Sequence, residues 1–292
     1  MWDIVIRGAV DGALFALIAS GLNLQYGVTK ILNVAHGEFL MLGAFITSVL
    51  FQYYGINPLV SLAISGCLVL VVGVLVYMLV FRRIIKQSRA PEELEVRSLL
   101  ACFGLMLVIS YTLSAIVRTD PKLKISTTDF LREPITILGV TIELNKIVAL
   151  FVAIAFSVVL YVLLRFTKIG LAMRAAAQEP TGAQLVGINL TKSHLISFSL
   201  SAFLGAVSGS LLSMVFYTMS PLSGAQYTFI ALTVIVIGGA GSFIGSLVGG
   251  FIMGYIYYYV LTVPKGILLS MPVVYAFLIV MLLVRPKGLF GR

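Results

Sequence analysis

The chain reads as long charge-free runs separated by short polar stretches, and each run of about 20 apolar residues can span a bilayer core. A first span covers about 8–24, with Arg7 and Asp11 four residues apart and able to pair near its start. Residues 39–81 carry no charge until Arg82, and the interruption Tyr53-Tyr54-Gly55-Ile56-Asn57-Pro58 predicts two spans with a turn between them. Residues 98–117 and 147–164 supply a fourth and a fifth span. From 195 to 264 the chain is again uncharged. A turn at Ser220–Gly224 and the glycine-rich stretch 238–250 divide it into three, and 266–284 supplies the last. The count is nine, or eight if 227–262 is one broken helix.

Composition agrees with this pattern. Hydrophobic residues make up 60% and charged residues 11% of the 292, with mean hydropathy +1.09. A soluble domain carries roughly 25% charged residues. A soluble enzyme, a disordered regulator and a disulfide scaffold are therefore excluded, and the expected fold is all-α and integral to the membrane, 1–292 forming a single transmembrane domain. Asp3, Arg7 and Asp11 break the first apolar run, so no cleavable signal is expected. Cys67 and Cys102 lie in apolar runs and read as small core residues, and no metal-ligand spacing occurs.

The formal charge of +9 bears on topology rather than on nucleic acid. Twelve of the 20 Lys/Arg fall in three places: Arg82, Arg83, Lys86, Arg89 and Arg97; Arg165, Lys168, Arg174 and Lys192; and Arg285, Lys287 and Arg292. Placing all three on the cytoplasmic side puts the C-terminus inside and the N-terminus outside. The segment 118–146 is then external despite Arg118, Lys122, Lys124, Arg132 and Lys146. Its stretch 134–143 alternates at period two about Leu138-Gly139, which predicts a hairpin.

Three segments depart from plain apolar helix. In the first, Gly21 to Glu38, polar groups and glycines lie between two spans. Irregular backbone at bilayer depth needs protein or a watery cavity around it. Asn33, His36, Gly37 and Glu38 therefore either line a translocation path beside a broken helix, or form an ordinary turn in which Asn33 caps the next helix. The second is 238–250, where Gly239, Gly241, Ser242 and Gly245 are further path candidates. It lacks the Lys-Ser/Thr of a phosphate loop. It is either small-residue helix packing or a half-helix end whose free N–H groups face a carboxylate. The third is 167–189, a low-charge segment with helix formers at 171–178 and a Pro180 able to open a second helical piece. It fits a docking helix better than a solvated loop.

Together these segments resemble the permease family of bacterial and archaeal ABC importers for branched-chain amino acids, the LivH type. The resemblance runs through Gly21–Ala44 with Asn33-Val34-Ala35-His36-Gly37-Glu38 at its centre, through Gly170-x-Ala172-x-Arg174-Ala175 to Gly187-Ile188-Asn189, then Gly238–Gly250 and the closing Arg285-Pro286-Lys287-Gly288-Leu289-Phe290-Gly291. It implies a type II-like importer permease in a prokaryotic inner (cytoplasmic) membrane. It also implies a second homologous permease subunit, two ATP-binding subunits and an extracytoplasmic solute-binding protein as partners. In the family the segment matching 167–189 sits in a cleft of the ATPase, which assigns coupling to Gly170, Arg174, Ala175, Glu179, Ala183, Gly187 and Ile188. Lys168 stands where an arginine is frequent and Val34 where an aromatic is common.

The chain has no Walker loop and no cofactor fingerprint, so it is expected to bind no cofactor, to be no enzyme, and to rely on partners that hydrolyse ATP. Alternating access would follow from movement of 167–189. A permease for urea or short amides shares these motifs, and the Ser, Thr and Tyr inventory of 195–264 suits either solute. A stand-alone carrier or channel would place paired ionisable residues in its middle spans, where none occur. An integral membrane enzyme would need a convergent ligand set that His36 and His194 do not provide.

Overall fold

The computed structural model describes residues 2–291 apart from 89, 121, 138, 218 and 286. Arg89 and Arg292 of the charge argument, Leu138 of the hairpin and Pro286 of the closing motif thus lie outside the described residues. Twelve α-helices run in order: α1 Trp2–Thr29, α2 His36–Tyr54, α3 Pro58–Val76, α4 Arg82–Gln87, α5 Pro91–Thr119, α6 Leu144–Phe166, α7 Lys168–Gln178, α8 Pro180–Leu185, α9 Leu190–Val215, α10 Gly224–Gly238, α11 Phe243–Thr262 and α12 Gly266–Val284. A π turn, Tyr77–Phe81, joins α3 to α4 as one continuous rod. Eight helical stretches among the described residues are long and apolar enough to cross a membrane. The helix α2 is equally long, but His36, Glu38 and Gln52 dilute its hydropathy. The stretch 227–262 is two helices, not one.

Local chemistry sets the breaks. Gly55, at φ +65°, ends α2 in the left-handed region, and Asn57 accepts the Leu59 N–H at 2.9 Å to start α3 with Pro58 in the first turn. The strands β1 Pro134–Ile137 and β2 Val140–Glu143 pair antiparallel, Pro134 opposite Glu143.

Hydrogen bonds define two ends of the bundle. At one, Gln52 reaches the Ser126 carbonyl, Thr127 meets Ser213, Asn145 meets Met214 and Arg7 meets Thr141. At the other, Leu289 and Phe290 donate to Ile237 and Gly238, Arg174 reaches Arg165, and Tyr77 reaches Thr191. The segments 82–97, 165–193 and 285–291 gather at this second end.

The core is built around α1, whose residues from Val10 to Gln25 are buried. Helix association in lipid depends on close packing rather than on hydrophobic exclusion, so small residues line the seams. Gly8, Gly12 and Ala16 repeat at i, i+4 and face Gly250, Gly254 and Tyr255 of α11. A Cβ on Gly250 would overlap Ala16, and one on Gly254 would overlap the Gly12 backbone. Between α2, α3 and α9, the hydroxyls of Thr47, Ser65 and Ser210 form a closed triangle at 2.7–3.2 Å.

The pair expected at the start of α1 differs. Arg7 bonds Asp3 at 2.7 Å, not Asp11. Asp3 lies at the wet end of the helix, where Tyr258 also donates to it at 2.8 Å. Asp11 is buried, where a pair with a single arginine would leave much of the ionic hydration unreplaced.

Outside the spans, Glu143 accepts from Tyr217 at 2.5 Å and pairs with Lys146 at 2.9 Å. Partial burial would raise its carboxyl, but Tyr217 and Lys146 outweigh this and hold it below the ordinary glutamate range. A depressed carboxyl stabilises above its unfolded value, and that contribution is lost as pH falls through the folded one.

Two outcomes are expected. Gly250→Val should force α1 from α11 and cost about 1–3 kcal/mol or more, lowering the thermal midpoint, while Gly104→Val, where a Cβ meets open space, should not. Glu143→Gln should speed amide exchange of 140–143 at neutral pH, and the difference from wild type should vanish in acid below the ordinary glutamate range.

Candidate translocation site

After Thr29 the chain turns back on itself, and residues 30–35 climb along α1. Lys30 takes φ +56° at the reversal. Asn33 donates to the Gln25 side chain at 3.1 Å and accepts the Ala35 N–H at 3.1 Å, holding the returning strand against the helix it left. The α2 N-terminus then forms beside Ile18 and Gly21, eleven residues up α1 from Thr29 at Ile18, or about 16 Å at 1.5 Å per residue. The turn is therefore re-entrant. Asn33 does not cap α2, whose N-cap is Ala35 with no side-chain bond.

A second helix starts at the same depth. The chain leaves α9 at Val215 and returns inward through 216–223, Met219 pairing with Ile125, before α10 begins at Gly224. The two N-termini touch. The Gly37 N–H donates to Thr228 Oγ1 at 2.8 Å, and that hydroxyl donates to the Val34 carbonyl at 3.1 Å. A side chain on Gly37 would overlap the Gly224 carbonyl, so the close approach requires glycine.

Two helix N-termini brought together present two positive half-dipoles, each about half an elementary charge. Glu38 brings a carboxyl group to the same place. Its carboxylate lies in the first turn of α2 and against Gly224, buried at 1% exposure. Ser110 faces it, and neither oxygen makes a hydrogen bond of good geometry to a described residue. His36 donates from Nε2 to the Ile18 carbonyl at 3.1 Å, since a carbonyl only accepts, and its Nδ1 faces Ser201 at 3.3 Å. The result is a buried polar junction at bilayer depth, made of discontinuous helices enclosed by protein.

The glycine-rich turn is a separate structure. Gly239 and Gly241 take φ +98° and +83°, and Ser242 caps α11 by accepting the Gly245 N–H at 3.1 Å. Asn23 of α1 reads the turn completely: it accepts Gly241 N–H at 2.6 Å and donates to Ser242 O at 2.9 Å and Ser246 Oγ at 2.7 Å. Gly238 and Gly245 pack backbone to backbone. At 100° per residue, Asn23 and Gly27 lie on the opposite face of α1 from Ile18, Gly21 and Gln25. The structure thus joins Asn33, His36, Gly37 and Glu38 in one site and Gly239, Gly241, Ser242 and Gly245 in another, with α1 between them. No sequence pattern marks Thr228, Ser201 or Gly224 as partners of the first, nor Asn23 as the partner of the second.

The 167–189 segment is an elbow. Thr167 caps α7 through Gly170 N–H at 3.1 Å, Glu179 caps α8 through Thr181 N–H at 3.3 Å, and Pro180 starts α8. Gly170, Met173, Ala176 and Ala183 face inward, and Gly170 is too close to the α6 backbone for a side chain. Gly187, at φ +84°, lets the Ile188 N–H close on the Ala183 carbonyl at 2.9 Å. Arg174 reaches back to Arg165, and Ala175 is half-buried. Leu185 and Val186 stand 85% and 78% exposed at the tip.

Residues 4–284 match the family model described as branched-chain amino acid transport system / permease component. The chain belongs to that family. The permease is 31% identical to the probable branched-chain amino acid transport permease LivH of Methanocaldococcus jannaschii, covering 98% of this chain and 92% of that one. It is 29% identical to the high-affinity branched-chain amino acid permease BraD of Pseudomonas aeruginosa, over 99% and 95%. Among solved structures, PsaBC from Streptococcus pneumoniae in complex with Fab shares the fold, with a TM-score of 0.53 at 9% identity over 97% of this chain and 92% of that chain. Family and fold together make this a multi-pass membrane transport protein, a permease component of the ABC type rather than an enzyme.

Asn23→Leu removes the acceptor of the Gly241 N–H and one donor to the Ser242 carbonyl, which keeps the Ser246 N–H at 3.0 Å, and each hydrogen bond lost is worth about 0.5–1.5 kcal/mol. The permease variant should melt well below wild type in detergent, and an unchanged midpoint would show that the turn holds without its reader.

Proposed function

We propose that the permease carries branched-chain or related apolar amino acids inward across a prokaryotic cytoplasmic membrane. It would do so as one of two permease subunits driven by two ATP-binding partners and fed by an extracytoplasmic solute-binding protein. The bundle end that gathers 82–97, 165–193 and 285–291 is the cytoplasmic one, by the bias of Lys and Arg. The N-terminus and the hairpin 134–143 then lie outside.

One observation carries the reading. At the basic end, the α7–α8 elbow exposes Leu185 and Val186 where a solvated loop would present polar groups. The apolar tip is suited to a cleft on a partner, while Gly170 and Ala183 tie the elbow to the bundle behind it. Force applied at the tip passes through α6 and α9, which flank the elbow, and α9 packs along α2 where Gly43 lies against Ala206 and Gly209 against Leu40. Tilting α9 would move α2 relative to α10 and open the junction at Glu38. A carboxylate and two helix N-termini offer opposite signs to a zwitterion, the first to an ammonium and the second to a carboxylate. Urea carries neither charge.

Reconstitution with the partner subunits in vesicles tests this. Labelled leucine should accumulate on ATP addition and labelled urea should not. L185D/V186D should leave the permease folded but reduce ATP-driven uptake by roughly tenfold or more, equivalent to about 1.4 kcal/mol of coupling, with loss of ATPase co-purification. Urea uptake without leucine uptake would overturn the substrate assignment.

A further inference from the structure

A cavity of about 640 Å³ opens at the basic end between α1, α6, α7 and α11, on the far side of α1 from the Glu38 junction. Lys30, Arg165 and Arg174 line it, and no aspartate or glutamate does. None of the three cations forms an ion pair among the described residues. The Arg174 Nε is buried without a hydrogen-bond acceptor, although its Nη2 holds the Arg165 carbonyl. The amides of Phe243 and Ile244 open α11 at the same wall. They precede the first intrahelical bonds, and no described residue accepts from them.

Beside Ser20, Asn23, Gln178 and Ser242, the lining has a continuous apolar side. Leu24, Val28, Leu164 and Phe243 form it, and Tyr161 and Ile244 stand at its rim 38% and 53% exposed. There α6 and α11 meet through the Tyr161–Phe243 ring contact, centroids 5.8 Å apart. Both rim residues belong to helices long and apolar enough to cross a membrane, and their exposure opens the cavity to the side of the bundle as well as to its basic end. A soluble anion would leave the apolar side uncovered, and a zwitterionic phospholipid would bring its own headgroup cation among Lys30, Arg165 and Arg174.

We propose that this cavity binds the phosphate headgroup of an anionic phospholipid, with the acyl chains leaving past Tyr161 and Ile244. Arg165, Arg174 and Lys30 pair with the phosphate, and the α11 N-terminus adds its amides and dipole. The lipid would then rest on α7 from above, on the face of the elbow opposite its exposed tip. This site is independent of the transported solute.

Native mass spectrometry of the purified full chain in neutral detergent tests it, with phosphatidylglycerol, phosphatidylcholine and inorganic phosphate as probes. Phosphatidylglycerol should be retained in preference to phosphatidylcholine. R165Q/R174Q should weaken that retention on the order of tenfold, while R82Q/R83Q, which removes two cations away from the cavity, should not. The thermal midpoint of each variant reports folding, and Lys30→Gln serves as the milder probe should the double variant unfold. Equal retention of both lipids, or equal loss in the R82Q/R83Q control, would overturn the proposal. Displacement of the lipid by inorganic phosphate at matched concentration would assign the cavity to a free anion and also overturn it.

Discussion

Everything in this permease depends on how closely α1 can be approached. In a bilayer the lipid tails are as apolar as leucine, so helices are held by contact and by polar groups rather than by exclusion from water. The Gly8, Gly12 and Ala16 face of α1 lets α11 come to backbone contact. On the other side, Gly21 lets His36 lie against the helix. A central helix approached from both faces can hold two interruptions in its neighbours without exposing their backbone to hydrocarbon.

Those interruptions have different physics. At Glu38 two helix N-termini meet head to head, with one buried carboxyl group between them. At Gly241 a helix ends and its successor begins in a few residues. There Asn23 accepts the Gly241 N–H and donates to the Ser242 carbonyl and the Ser246 hydroxyl. The first junction buries a carboxyl group whose oxygens have no hydrogen-bond partner of good geometry among the described residues. The second is held by the three hydrogen bonds of Asn23, and it fixes α10 to α11. That difference is why the Glu38 junction is the better candidate for a gate, and the Asn23 turn for a hinge support.

At the basic end the same economy of small residues places α7 against α6 and turns the apolar tip of α8 outward. A cavity with three cations lies directly behind that elbow. The opposite end is held differently, by Glu143, Tyr217 and Lys146 and by the Tyr53–Asp120 contact. These are polar pins between the hairpin, its neighbouring loops and the helix ends.

The sequence alone determined a mostly helical membrane chain, the turn at Gly55–Asn57, the pairing of 134–137 with 140–143, the two-piece elbow broken at Pro180 and the family. Each is written in local pattern: hydropathy runs, period-two alternation, proline and glycine at chain reversals. It also marked Asn33, His36 and Glu38 as out of place in an apolar chain. What it did not contain was which of those residues meet. Thr228 lies far along the chain from Gly37, and Asn23 far from Gly241, in runs whose composition is ordinary for a span. Asp3 rather than Asp11 pairs with Arg7 because depth, not spacing, decides which carboxylate keeps its hydration. Tertiary structure alone separated the two interruptions onto opposite faces of α1, since the face a residue occupies matters only once another helix is there to read it.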